Sequence, residues 1–326
     1  MIEKVLPDFL IRLFAGPYVA GDSLEEGLKT ARALAGESGV AATMDLLAEG
    51  ITREEEVQED FALYKKLIEA VGTDPSFPEA LRPTVSMKPS NFTTSPLDRG
   101  PGNDARGSRE HVTRLAALAK DLGVGVTVDM EDRHWTDFTL DLLARLWEEG
   151  YHNVGGVLQT RLKRTDKDLD RIPAGMRVRL VIGIYKEPPE VAYTDKKIMK
   201  QRMLEFGEEL LRRGHFVEFG THDEASIETF LTETVGKAGK GPEDCEIQML
   251  FGVPRKRMIG RILSGELLSK DGKVPSVRIY TPFATSWPKA TAYCRRRLAE
   301  NPHMALYVLG NLLARITGRQ RATRSG

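Results

Sequence analysis

Two kinds of apolar pattern alternate along the chain from about residue 40 onward. Short β-branched or apolar runs occupy residues 40–47, 83–88, 124–130, 153–159, 178–185, 215–220, 245–252 and 277–282, each ending in polar or glycine-containing sequence. Between several of them, apolar positions recur with helical spacing, over residues 110–122, 136–149, 195–213 and 224–235. Thr52 to Glu55 reads as a capping box before another long helix. Eight strands alternating with helices, with runs apolar enough to be buried on both faces, predict an α/β fold, a (β/α)8 TIM-like barrel. Ser23-Leu-Glu-Glu26 opens a helix ahead of the first run. Residues 1–39 are therefore expected to be a helical segment packed on the barrel, and residues 40–326 the barrel itself. The stretch 89–107, rich in Ser, Thr, Pro, Gly and Asn, is the clearest loop, and it follows strand two on the face where such barrels keep their active sites.

In this architecture, polar residues at the carboxyl ends of strands face the catalytic mouth. That rule selects Asp45 and Glu49, Lys88, Asp129 and Glu131, Gln159 and Arg161, Arg179 and Tyr185, Glu218 and His222, Glu246 and Gln248, and Tyr280. Lys88, Asp129, Arg179 and Gln248 lie inside apolar runs, so each must be paired or contact a polar ligand. An internal salt-bridge network accounts for any one of them; together they favour a site. After strand eight, a helical stretch carries Arg295, Arg296 and Arg297, whose side chains fan about 100° apart. Two of the three can face the mouth, where guanidinium forks suit a carboxylate or phosphate; the alternative is a solvated basic face.

Charge and composition narrow the partners. The 47 Lys+Arg residues balance 47 Asp+Glu residues, leaving no net field to hold nucleic acid. Two cysteines and no cationic, apolar leader make a reducing cytoplasm the expectation. The longest apolar run, residues 304–313, is shorter than the roughly 20 residues a membrane span needs. The six histidines show no helical ligand pair and there is no Cys-x-x-Cys, so no metal is expected. His134, beside the acids 129–132, reads as a solvated loop residue. Arg315, Arg319, Arg321 and Arg324 follow the 304–313 run with no acid among them, which suits a weak peripheral contact with anionic lipid; the alternative, favoured because termini commonly fray whatever their charge, is a packed helix and a frayed tail.

Seven short motifs, in order, resemble the FAD-dependent proline dehydrogenases of the monofunctional bacterial type: Val85-Ser-Met-Lys88, Val128-Asp-Met-Glu-Asp132, Val157-Leu-Gln159, Arg177-Val-Arg-Leu-Val-Ile-Gly-Ile-Tyr185, Gly220-Thr-His-Asp223, Glu246-Ile-Gln-Met-Leu250, and Tyr280 followed by Arg296-Arg-Leu-Ala-Glu300. The resemblance implies oxidation of L-proline to Δ1-pyrroline-5-carboxylate on FAD, with electrons passed to a quinone and the product taken by a pyrroline-5-carboxylate dehydrogenase. It also implies roles. Arg296 and Arg297 clamp the substrate carboxylate; Lys88, Asp129, Tyr280 and Leu250 form the pocket. Tyr185 closes it, Glu300 lies near the far edge of the substrate ring, and Gln159, Arg179 and His222 contact the cofactor. Two positions depart from the family: Ile182 stands where a lysine is usual, and Asp223 where Asn is usual. The rivals are another barrel enzyme, either one forming a Schiff base through Lys88 or a folate-reducing flavin barrel, and a barrel that binds without turnover.

Overall fold

The computed structural model describes residues 18–48, 51–253 and 255–285. Eight strands form a closed, all-parallel barrel in chain order: β1 (Ala41–Leu46), β2 (Thr84–Met87), β3 (Val126–Val128), β4 (Val154–Gln159), β5 (Arg177–Val181), β6 (Phe216–Gly220), β7 (Cys245–Leu250) and β8 (Ser276–Phe283). Closure runs through β1 and β8, paired over six residues from Ala41 opposite Arg278 to Leu46 opposite Phe283. Every expected strand forms, because parallel strands sheathed by helices are dry on both faces: β1 and β4 are buried along their whole length.

The main helices are α1 (Leu24–Ser38), α2 (Glu54–Thr73), α3 (Ser108–Asp121), α4 (Thr136–Glu148), α5 (Lys196–Arg212), α6 (Glu224–Thr229) and α7 (Lys256–Leu263). Each turns an apolar face inward; α4, for example, buries Leu140, Leu143 and Leu146. Helix α1 starts where the sequence predicts, with the Ser23 hydroxyl accepting from Glu26 N, and it packs against β1 and β8.

Three expectations change in detail. The capping box of α2 sits one residue later: the Glu56 carboxylate accepts from the backbone N–H groups of Thr52 (2.9 Å) and Arg53 (3.0 Å), and Arg53 is the cap. The helix over 224–235 is interrupted at Phe230–Thr234 by a π turn, which helical apolar spacing cannot reveal. Strand five stops at Val181, so Tyr185 lies beyond the strand. The apolar run continues past that point, but Gly183, at φ 98°, turns the chain out of the sheet.

Candidate active site

The barrel interior is charged where such barrels usually pack Val, Ile and Leu. Successive inward positions on a strand are two residues apart, so Arg177 and Arg179 on β5, Glu246 and Gln248 on β7, and Arg278 and Tyr280 on β8 stack in layers. The lower layer is held by Arg177 paired to Glu218 and by Arg278 Nε, 2.9 Å from Glu246 Oε1. Both arginines also donate to backbone carbonyls, Arg177 to Val126 (2.9 Å) and Arg278 to Ala42 (3.0 Å). Glu218 and Glu246, expected at the mouth, are thus deeper salt-bridge partners, 1% and 2% exposed. Only the pairing of neighbouring strands reveals this, and no single apolar run carries it.

The upper layer contains most of the predicted pocket. Asp129 is its centre, accepting from Arg179 NH1 (2.8 Å), Tyr280 Oη (2.8 Å) and Ser86 Oγ (3.1 Å). Lys88 Nζ lies 3.4 Å from Asp129 Oδ2 and 2.6 Å from Asp45 Oδ1. Burial disfavours the Lys88 ammonium, yet Asp45, Tyr280 and Asp129 hold its pKa well above the usual lysine value, so it stays protonated. Burial also pushes the Tyr280 hydroxyl well up, so it remains a donor. Arg179 Nε donates to Gln248 Oε1 (2.6 Å) and lies 3.5 Å from Glu218 Oε2, joining the two layers. Burial opposes its charge, but Asp129 and Glu218 raise its pKa further. Four cations (Lys88, Arg177, Arg179, Arg278) therefore face four carboxylates (Asp45, Asp129, Glu218, Glu246), and the buried interior is neutral. Such a network resists collapse only while every member is satisfied.

One donor of that network is not used: Arg179 NH2 is buried without a hydrogen-bond partner. A buried guanidinium nitrogen left open costs energy unless a ligand acceptor meets it. Gln159, at the end of β4, donates through Nε2 to the Glu131 carbonyl (2.7 Å). Gly183 passes so close to it that an added Cβ would stand 2.3 Å from its amide oxygen. Tyr185 follows, its carbonyl accepting from the Arg161 guanidinium. His222 accepts through Nε2 from Leu250 N (3.1 Å), which ties the strand-six and strand-seven ends together. Asp223 caps α6, accepting from Ser226 N (3.0 Å), and pairs with Lys200, so the acid in place of Asn serves the helix start. Ile182 packs on the core. His134, expected to be solvated, is exposed and bonded to Asp132. Arg296, Arg297 and Glu300, with Glu49, lie outside the described residues.

A cleft of about 240 Å³ opens beside Lys88 and Tyr185, walled by the 89–107 loop and the end of β3. Its inner wall includes Glu131, which is 7% exposed. Burial, partly offset by hydrogen bonds from the Ser90 amide and hydroxyl, holds the Glu131 carboxyl up at about 7. Ser90 and Ser86 were missed in the sequence; both flank Lys88 at the spacing of a strand end and loop entry.

Among known proteins, the profile of the proline dehydrogenase family matches residues 27–307. The chain is 33% identical to a proline dehydrogenase of Deinococcus radiodurans over 91% of this chain and 89% of that one. It is 30% identical to proline dehydrogenase 1 of Bacillus subtilis over 96% of this chain and 95% of that one. The bifunctional protein PutA of Escherichia coli is 25% identical over 90% of this chain, which spans 24% of its length. Among solved structures, proline utilization A from Bdellovibrio bacteriovorus inactivated by N-propargylglycine superposes with a TM-score of 0.76 at 22% identity. That match covers 88% of this chain and 32% of the longer one, and it concerns the fold. With a family match spanning most of the chain and relatives of similar length, the chain belongs to the proline dehydrogenase family.

Proposed function

We propose that the protein oxidises L-proline to Δ1-pyrroline-5-carboxylate with FAD bound across the barrel mouth, and that the electrons pass to a quinone. The observation that carries this reading is Arg179: a cation locked by Asp129 and Gln248 with NH2 left open inside the barrel. An open guanidinium donor beside Gln159 and the glycine-lined turn at Gly183 fits the polar edge of a flavin ring. When bound, FAD supplies the hydride acceptor. Arg179 then offers positive charge where a reduced flavin carries negative charge, while Gln159 fixes the ring's position and His222 the nucleotide part.

The remaining residues orient the substrate. Lys88, kept protonated, and Tyr280, kept as a donor to Asp129, line a polar wall; Leu250 supplies an apolar one. Tyr185 closes the pocket, Glu300 borders the far edge of the ring, and Arg296 and Arg297 clamp the carboxylate in bidentate fashion. Holding a small ring so that one C–H faces an acceptor needs no nucleophile. A Schiff-base role for Lys88 is disfavoured because that chemistry needs a neutral amine, and two carboxylates keep this one charged.

The bifunctional relatives support a link to a second activity, which we take to be a pyrroline-5-carboxylate dehydrogenase. Among the described residues no helix is long and apolar enough to cross a membrane. A cytoplasmic protein with a basic tail docking on anionic lipid, near the quinone, fits the sequence. Equal liposome binding with and without residues 315–326 would remove the tail from this picture.

An absorbance spectrum of the purified protein, recorded anaerobically before and after adding proline, tests the main reading. Flavin bands that bleach with proline are expected. A colourless protein that FAD cannot reconstitute would overturn it.

A further inference from the structure

Oxidising a cyclic amino acid at a ring carbon next to nitrogen requires the nitrogen lone pair, which becomes the second bond of C=N as the C–H pair departs. The substrate's secondary amine is protonated at neutral pH, as alkyl ammonium groups with pKa values near 10 are. One proton must therefore leave the nitrogen inside the site, and a group must receive it.

The groups of the upper layer are poorly suited. Lys88 is an ammonium without a lone pair to offer. The Tyr280 hydroxyl already donates to Asp129. Asp129 already accepts from Arg179, Tyr280 and Ser86 and faces Lys88, so its lone pairs are engaged within the network. Asp45 is 1% exposed, holds Lys88, and does not reach the cleft wall.

Glu131 differs on each count. It shares the cleft wall with Lys88 and Tyr185, two residues of the proposed pocket. Among the described residues, no Lys, Arg or His nitrogen forms an ion pair with it. Ser90 donates to both of its oxygens, orienting the carboxylate and leaving lone pairs for a further donor. The charged and titratable groups around it are Lys88 at the end of β2, Asp129 and Asp132 on its own segment, Asp98 and Arg99 from the loop after β2, and Tyr185 from beyond β5.

Resting on the functional reading above, we propose that Glu131, oriented by Ser90, accepts the proton from the substrate's ring nitrogen and releases it to solvent along the cleft. The N–H bond breaks, its electron pair stays on nitrogen, and the proton bonds a Glu131 carboxylate oxygen. With that pair free on nitrogen, bound FAD would supply the acceptor for the C–H pair, and the nitrogen pair would complete C=N. A carboxyl titrating at about 7 suits this duty, since a general base works best with a pKa near the working pH.

The test uses the flavin-loaded enzyme and the pH dependence of kcat/KM. Wild type should lose activity as pH falls through about 7. Glu131→Gln should lose that limb and drop kcat/KM by about 100-fold or more, the range for general bases. Tetrahydrofuran-2-carboxylate, which has no N–H, should bind Glu131→Gln and wild type equally, and flavin content should match; both would fall if the change merely disrupted the site. Ser90→Ala is the milder variant: losing a donor that favours the carboxylate should move the limb to higher pH. In infrared titration, with no turnover, wild type should show a protonated-carboxyl band vanishing near pH 7 that Glu131→Gln lacks. A Glu131→Gln enzyme that keeps both the limb and near-normal kcat/KM overturns the proposal. A wild-type enzyme whose flavin proline does not reduce overturns the functional reading instead.

Discussion

Lys88 and Asp45, from adjacent strands, meet at 2.6 Å in the barrel interior, and Asp45 is 1% exposed. Asp45 has no second cation within salt-bridge distance among the described residues, whereas Asp129 keeps Arg179 at 2.8 Å, so removing Lys88 leaves the buried Asp45 carboxylate without a counter-ion. Breaking one side of a buried pair costs about 3–5 kcal/mol. Lys88→Met should therefore destabilise by that amount near neutral pH, and less as acid protonates one carboxylate. Adding Asp45→Asn to Lys88→Met should return part of the loss. Denaturant unfolding of the four proteins in the cycle measures this; strictly additive effects would mean the pair is not coupled.

Glu131 gives a second, activity-independent prediction. Its folded carboxyl is raised from 4.5 to about 7 by burial. Between those values the folded state holds a proton that the unfolded state has lost, so stability falls as pH rises, by about 3 kcal/mol in all. Glu131→Gln removes that slope. The stability difference between variant and wild type should shift in the variant's favour from pH 4.5 to 7 and level off above. Parallel stability-pH curves would show that the Glu131 carboxyl titrates alike in the folded and unfolded states.

The clamp assigned to Arg296 and Arg297 predicts a pattern in ligands. Hydrogen bonds to charged groups contribute about 1.5–3 kcal/mol, so Arg296→Met and Arg297→Met should each weaken binding of proline and of tetrahydrofuran-2-carboxylate by roughly 10- to 100-fold. Lysine at either position should rescue only partly, because a point charge does not reproduce the planar fork. Prolinamide should not compete. Near-normal Michaelis constants in both variants would return the arginines to a solvated basic face.

The strands and the upper layer of the site were legible because burial imposes itself on sequence. A parallel strand dry on both faces must be apolar, so Lys88, Asp129, Arg179 and Gln248 stood out inside their runs, and all four are paired. What escaped depends on depth and on three-dimensional neighbours. Nothing in the local pattern says that Glu246, second in β7, is too deep for the mouth, nor that Arg278 reaches it from the next strand. The duty of Glu131 was hidden for the same reason. Its environment is made by Ser90, from the loop after the neighbouring strand, and by burial on a cleft wall, which only folding defines. Strand five ran long in the sequence because Ile182 and Ile184 continue the apolar pattern on either side of Gly183, where the chain turns out of the sheet.

That turn carries the last prediction. Gly183 has φ 98° and an added Cβ would lie 2.3 Å from the Gln159 amide oxygen, whereas Gly214, at φ 83°, has open space around the same position. Alanine at 214 meets only backbone strain, of order 1 kcal/mol. Alanine at 183 meets comparable strain and must also push the Gln159 side chain off the Glu131 carbonyl, disturbing a hydrogen bond of 2.7 Å. Losing a buried hydrogen bond and unpairing its partner adds about 1–3 kcal/mol. Gly183→Ala should thus be the less stable variant, and because Gln159 is a proposed flavin contact, it alone should lose flavin on dilution. Thermal unfolding and flavin release by gel filtration read the two effects separately. If Gly183→Ala were less stable but kept its flavin as tightly as Gly214→Ala, Gln159 would be a structural bridge between β3 and β4 and the cofactor would be held elsewhere.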